Sequence, residues 1–299
     1  MLNNFLKTGC ELSRKAALHA YAPDSNFRVG AAVLTKNGFI FSGNNCETAA
    51  YEGEICGERN AIFNAITNGV LKSGISFIDA IAVSCIDMPD GFNLRDGSPC
   101  GACRQVIGEF ATEQTPIIID DKKIGVVFKL SELLPYGFRF APENLKTSSE
   151  IIDHKDVQQI ESSAARNPTP TSLLFAAKTI AVNSYAPFSG TRTGAMIVTT
   201  NGQAYAGVRV ENSSTGLTAD ALRVAIGRAS AKEGRSFKIL NLAIAQIGDH
   251  KAGREINPMR LINSELLWEF GAENMQLQVL SNNNTRSLNW RKGLLHLAR

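Results

Sequence analysis

The chain has 299 residues, of which 44% are hydrophobic and 20% charged, with a formal net charge of +3. So mild a charge argues against a nucleic-acid or membrane surface, and no run approaches the roughly 18 apolar residues of a membrane span. At about 150 residues per domain, the length predicts two domains, each long enough to bury a core.

Taken in order, the segment from Leu2 to Ala20 has apolar or small residues at Leu2, Phe5, Leu6, Gly9, Leu12, Ala16 and Ala17, a helical period. Lys7, Glu11, Arg14 and Lys15 interrupt any apolar stretch of a signal peptide, so a cytoplasmic protein is expected. Tyr21-Ala22-Pro23 reads as a turn. Val29 to Thr35 predicts a strand, Lys36-Asn37-Gly38 a hairpin turn, and Phe39 to Ser42 its partner. Asn45 to Tyr51 lacks a period and reads as a loop. A helix is expected from Cys56, with Gly69 as its stop. Ile78 to Ile86 predicts a buried strand, Met88 to Pro99 a loop, and Cys100 to Ala111 a second helix. Ile117 to Ile119 and Val126 to Phe128 predict strands, after which Ser131 caps a short turn. Helices crossing over a sheet imply an α/β sandwich. Residues 146–167 are polar and linker-like, with a short helix possible within Asp153 to Ile160.

The second half repeats the first. Tyr21-Ala22-Pro23 recurs as Tyr185-Ala186-Pro187, 164 positions on (185 − 21). Gly30-Ala31, Asn37-Gly38 and Gly43 recur at the same offset as Gly194-Ala195, Asn201-Gly202 and Gly207. The expectation is therefore one domain in two copies: residues 1–145, a linker at 146–167, and residues 168–299.

All six cysteines (Cys10, Cys46, Cys56, Cys85, Cys100, Cys103) lie in the first half. In a cytoplasmic chain such thiols serve metal binding or catalysis more often than disulfides. A catalytic zinc takes three protein ligands and leaves the fourth position for water. Cys56, Cys100 and Cys103 supply three thiolates, each in a segment that opens a predicted helix, where the dipole favours anions. Glu58, two residues after a ligand, is placed to move a proton without binding the metal. Arg59 can offset the excess thiolate charge, and Arg104 and Gln105 are weaker candidates for supporting the sulfurs. Cys100-Gly101-Ala102-Cys103 alone would also suit a redox pair or half of a structural zinc knuckle. Cys10, Cys46 and Cys85 read as buried apolar residues. In the copy, Cys56 becomes Asp220, Glu58 becomes Leu222 and Asn45 becomes Arg209, while Glu47 persists as Glu211. Met259 and Ile262 fall where Cys100 and Cys103 would, so the second half cannot build the thiolate site.

With these residues in place, the first half resembles the zinc-dependent cytidine deaminase family. The resemblance is carried by Tyr21-Ala22-Pro23, Phe27 to Ala32, Gly43, Asn45-x-Glu47, Tyr51, Cys56-Gly57-Glu58-Arg59, Ser98 to Gln105, Glu132 to Pro135 and Phe140 to Glu143. It implies two tandem α-β-α sandwich domains, each a mixed β-sheet flanked by helices, the first catalytic and the second degenerate. It implies one Zn²⁺ per chain on Cys56, Cys100 and Cys103, with Glu58 as proton shuttle. Asn45 and Glu47 would read the ribose 3′-hydroxyl, and Phe27 would pack near the base. Gly57, where relatives usually have Ala, would give its N–H to the pyrimidine O2. Tyr51 would contact the ribose 5′ side, and Thr48 stands where relatives have Asn. The implied reaction is hydrolytic: attack at C4 of cytosine, protonation of N3 and then of the amine by Glu58, and loss of ammonia. A small-molecule nucleoside, a place in pyrimidine salvage and a homodimer are the partners and context implied, with neither membrane nor nucleic acid. The competing readings are a deaminase of a cytosine antibiotic, a polynucleotide deaminase and a non-catalytic scaffold.

Overall fold

The structure is a computed structural model and describes residues 2–49, 51, 53–123, 125–140, 150–248, 264–281 and 284–289. The first half runs α1 (Leu2–Leu18), β1 (Val29–Thr35), β2 (Ile40–Asn44), α2 (Gly57–Thr67), β3 (Ile78–Cys85), α3 (Gly101–Phe110), β4 (Pro116–Ile119), β5 (Val126–Lys129) and α4 (Leu130–Leu133). Its sheet has the order β2-β1-β3-β4-β5, with β3 and β4 parallel and the other pairs antiparallel. Side chains alternate across a strand, and both faces here are apolar. Ala32, Leu34, Ala80, Ala82 and Ile118 meet Phe5 and Cys10 of α1. Ala31, Val33, Ile81, Val83 and Ile117 meet Ile62 and Ile66 of α2 and Val106 and Phe110 of α3. A sheet covered on both sides favours strands that are apolar on both faces, which is why Ile78 to Cys85 is buried at every position but Asp79.

Two glycines let helices lie this close. A Cβ on Gly30 would fall 2.0 Å from the Ser13 carbonyl oxygen of α1, and one on Gly43 would fall 2.3 Å from the Ala61 nitrogen of α2. Both obstacles are backbone and cannot swing aside. Gly43→Ala is therefore expected to destabilise the fold by about 3 kcal/mol, the upper range for overpacking, read as a lowered urea midpoint at unchanged slope.

The second half runs α5 (His154–Arg166), α6 (Pro170–Ile180), β6 (Arg192–Thr199), β7 (Ala204–Val208), α7 (Ala221–Glu233), β8 (Ile239–Ile247), α8 (Ser264–Phe270), β9 (Gly271–Ser281) and β10 (Asn284–Asn289). Its sheet order, β10-β9-β8-β6-β7, is the first sheet repeated, again with one parallel pair, β8 and β9. The bridges of Cys46 to Tyr21 and Ile55 recur as bridges of Val210 to Tyr185 and Ala219, each 164 positions on (210 − 46, 185 − 21, 219 − 55). Even the register shift at Leu34/Thr35 recurs at Val198/Thr199. Mixed sheets flanked by helices make this an α/β protein, as expected.

Three details differ from the sequence reading. The hairpin partner of β1 is Ile40–Asn44, because register pairs Gly30 with Asn44. The short helix α4 is entered at Lys129, whose N–H donates to Glu132 Oε2 at 2.7 Å, and Ser131 lies inside it. The supposed linker holds the 13-residue helix α5, capped by Asp153, with Val157 and Ala164 buried. Sparse apolar positions in a polar composition hid its extent beyond the short helix expected within Asp153 to Ile160. Of the residues resembling a closing segment, 141–143 lie outside those described, as do Met259 and Ile262.

The halves share a continuous core. Asn60 on α2 donates to the Gly227 carbonyl of α7 at 2.9 Å, and Arg228 donates through Nε to Asn64 Oδ1 at 2.9 Å. Helices α2 and α7 thus pack on each other across the duplication.

Candidate active site and metal centre

Cys56 is the N-cap of α2 and Cys100 the N-cap of α3; Cys103 follows in the first turn of α3. The two helices pack together, so their amino ends converge. All three sulfurs lie within 4.8 Å of one another, with Cys56 Sγ and Cys100 Sγ 4.0 Å apart. Among the described residues this is the one group of three side chains able to hold a metal ion. The Cys103 N–H donates to Cys100 Sγ at 3.5 Å, the pattern of an anion at a helix start.

The thiols do not share charge evenly. Hydrogen bonds from Cys103 and then Cys56 pull the Cys100 thiol down, while its contact with Cys100 pushes Cys56 up. Cys103 is pushed up as well, first by Cys100. Three thiolates this close repel one another, so holding all three requires a cation between them. Thiolates are soft donors, and three of them with a fourth position left to water fit zinc. The remaining cysteines, Cys10, Cys46 and Cys85, are buried and free, and burial leads the causes that raise each of them.

Glu58 lies in the first turn of α2, two residues past Cys56, and is only 3% exposed. Burial raises its pKa above the ordinary carboxyl value. Arg59 donates from Nη2 to Cys56 Sγ at 3.6 Å and to the Glu54 carbonyl at 3.2 Å, which places a positive charge against the cluster. Gly57 sits against β1, where a Cβ would come within 3.2 Å of the Val29 carbonyl oxygen. Gln105 does not face the sulfurs: it clamps Phe138, donating to its carbonyl at 2.6 Å and accepting from its N–H at 3.1 Å. Arg104 holds the loop before α3 through the Pro99 carbonyl and Ser98 Oγ.

Asn45 and Glu47 form a second cluster. Asn45 Oδ1 accepts from the Val29 N–H at 2.8 Å, and its Nδ2 donates to the Phe27 carbonyl at 2.9 Å and to Glu47 Oε1 at 3.4 Å. Phe27 is therefore fixed to Asn45 through its backbone. Glu47 Oε2 accepts the N–H groups of Asp24 and Ser25, both at 3.1 Å, and Oε1 accepts the Ser25 hydroxyl. Tyr51 is apart from these contacts, 68% exposed with φ 43°. Ser25 is the polar residue the sequence reading missed. Its signal was the repeat: Ser25 recurs 164 positions on (189 − 25) as Ser189, which holds Glu211 through its N–H and hydroxyl.

In the second half the same framework holds different groups. Asp220 caps α7 and pairs with Arg223 at 3.6 Å, where the first half has Cys56 and Arg59. Leu222 is fully buried at the position of Glu58, and Arg209 donates to Glu211 Oε1 at 3.0 Å.

A family profile described as the cytidine and deoxycytidylate deaminase zinc-binding region matches residues 4–119, and a second of that description matches residues 130–252. A cytidine deaminase of Sporosarcina psychrophila is 38% identical over 139 residues, 46% of this chain and 93% of that protein. A cytidine deaminase of Shewanella pealeana is 27% identical over 237 residues, 77% of this chain and 69% of that protein. The solved structure of a cytidine deaminase from Burkholderia pseudomallei is 35% identical and covers 44% of this chain and 98% of that one, with a TM-score of 0.38.

Proposed function

Since the chain belongs to the cytidine and deoxycytidylate deaminase zinc-binding family, we propose that it hydrolyses the 4-amino group of cytidine and 2′-deoxycytidine, releasing ammonia and leaving uridine or deoxyuridine. The observation that carries this reading is the position of Glu58, buried two residues past Cys56 in the helix that brings that sulfur to Cys100 and Cys103. Cys56, Cys100 and Cys103 would hold a zinc ion, which would supply the Lewis acidity that lowers the pKa of water. Glu58 takes one proton of the attacking water and delivers it to N3, then takes the proton of the new C4 hydroxyl and delivers it to the departing amine. Its burial favours the protonated form, which lets it hold each proton between uptake and delivery.

The other roles follow from placement. The Gly57 N–H, at the start of α2, meets the pyrimidine O2. Asn45 and Glu47 receive the ribose 3′-hydroxyl in exchange for the long 3.4 Å contact between them. Phe27 packs beside the base, and Arg59 offsets the third thiolate. Exposed Tyr51 serves the ribose 5′ side of a neighbouring domain's site. Gln105 keeps the Phe138 segment against α3. The reading places catalysis in residues 1–145 and a non-catalytic copy in 168–299, supported by Asp220 and Leu222 at the positions of Cys56 and Glu58. Pyrimidine salvage in the cytoplasm and a homodimer complete it. Among the described residues no helix is long and apolar enough to cross a membrane.

Ultraviolet monitoring of cytidine loss, with metal content measured on the same sample, tests the reading. Turnover with one zinc per chain is expected, and two zinc ions per chain would overturn the single-site assignment. Preference for a cytosine antibiotic, or action on single-stranded RNA without action on free nucleoside, would overturn the substrate.

A further inference from the structure

One side chain of the second half reaches the segment of the first half that carries the proposed sugar readers. Glu269, on α8, accepts the Tyr21 hydroxyl on Oε1 at 2.8 Å and the Ala49 N–H on Oε2 at 3.1 Å. Its neighbour Phe270 packs edge-on against the Tyr21 ring, with centroids 5.4 Å apart. Tyr21 is not an incidental partner. Its N–H donates to the Asn45 carbonyl at 3.0 Å, and its own carbonyl accepts the Glu47 N–H at 2.8 Å. The backbone of Tyr21 therefore runs between the two proposed sugar readers, and Ala49 lies two residues past the second of them. Burial, and then Glu269, push the Tyr21 phenol up to about 12, so it remains a donor.

The contact has a mirror image. In the second half the Tyr185 hydroxyl donates to Glu109 Oε1 at 2.8 Å, and the Ser213 N–H donates to Glu109 Oε2 at 3.0 Å. Phe110 packs edge-on against the Tyr185 ring at 5.0 Å. Tyr185 and Ser213 each stand 164 positions beyond Tyr21 and Ala49 (185 − 21, 213 − 49). Each half thus uses one glutamate, on the helix that follows its third strand, to fasten the other half's turn and loop. In one direction the fastened loop leads to Leu222, which has no chemistry. In the other it carries Asn45 and Glu47.

We propose that Glu269 is a positioning residue for the sugar pocket of the first half: one carboxylate, bridging Tyr21 and Ala49, holds segment 45–49 in the geometry that reads the ribose 3′-hydroxyl. The copy that lost the metal site would then be retained for this contact as well as for its core. The inference rests on the reading of Asn45 and Glu47 as sugar readers. It predicts a defect in substrate reading, not in chemistry, because neither hydrogen bond of Glu269 goes to Glu58 or to a cysteine of the metal cluster.

Tyr21→Phe keeps the ring against Phe270 and deletes the donor. Glu269→Ala removes both acceptors and leaves the Tyr21 hydroxyl and the Ala49 N–H without them. In the zinc-loaded full chain, each is expected to raise KM for cytidine about tenfold, in the range for losing a hydrogen bond to a charged group, with kcat within about twofold. The preference for cytidine over 3′-deoxycytidine, taken as a ratio of kcat/KM, should fall toward one. Hydrogen exchange of a peptide spanning residues 45–49 should be faster in both variants. Unchanged exchange in both would overturn the proposal, as would an equal loss of kcat on both nucleosides with KM unmoved. A wild-type chain that spares cytidine would count against the assigned reaction, while the exchange measurement would still decide whether Glu269 holds the loop.

Discussion

Glu58→Gln is expected to keep its zinc and its fold and to lose between about 10² and 10⁴ in kcat, the range that a positioned acid–base group contributes. The two side chains have nearly the same shape, and Glu58 lies in a place that is only 3% exposed, so the substitution opens no cavity. The charge is not missed either. Burial already raises the Glu58 carboxyl toward its neutral form, so an amide gives up little stabilising interaction. What the amide cannot do is accept a proton and return it. The measurement is turnover of cytidine beside metal content and thermal midpoint on one preparation. Near-wild-type turnover with full zinc would remove Glu58 from the mechanism.

Cys100→Ala is expected to lower zinc from one per chain to near zero and to take activity with it. Cys100 is the more informative ligand to remove, because its side chain is exposed whereas Cys103 is fully buried. Loss of packing would confound the second case and not the first. Metal that binds only the folded chain adds stability by mass action, about 4 kcal/mol when free metal exceeds the dissociation constant a thousandfold. A chelator should therefore lower the melting midpoint of the wild type toward that of the variant and leave the variant where it is. A variant that still held one zinc ion would refute the ligand assignment.

Much of this site could be read before any coordinates, for a physical reason. Zinc chemistry needs particular atoms, and few residue types supply thiolate sulfur or a proton-shuttling carboxylate. Cys56, Glu58, Cys100 and Cys103 were therefore visible as residue types at short spacings. The helix starts beneath them were visible too, since apolar periodicity resumes just after each cysteine. The glycines were legible through repetition. Gly30 and Gly43 recur as Gly194 and Gly207, and each stands where a helix backbone leaves no room for a Cβ. Helix α5 was harder to see, because Val157 and Ala164 are its only fully buried side chains in thirteen residues.

The sequence by itself determined the two-copy plan, most strands and helices of the first copy, and the chemical groups available to react, because these depend on local pattern and residue type. Only the tertiary structure decided which groups meet. It brought three sulfurs within 4.8 Å across a separation of 44 residues, turned Gln105 toward Phe138, and left Tyr51 exposed. It also joined Glu269 to Tyr21 across 248 positions of chain. Such contacts carry no periodic signal: they are set by how two packed sheets orient their helices, and a single carboxylate on a distant helix looks like any other until the chain has closed around it.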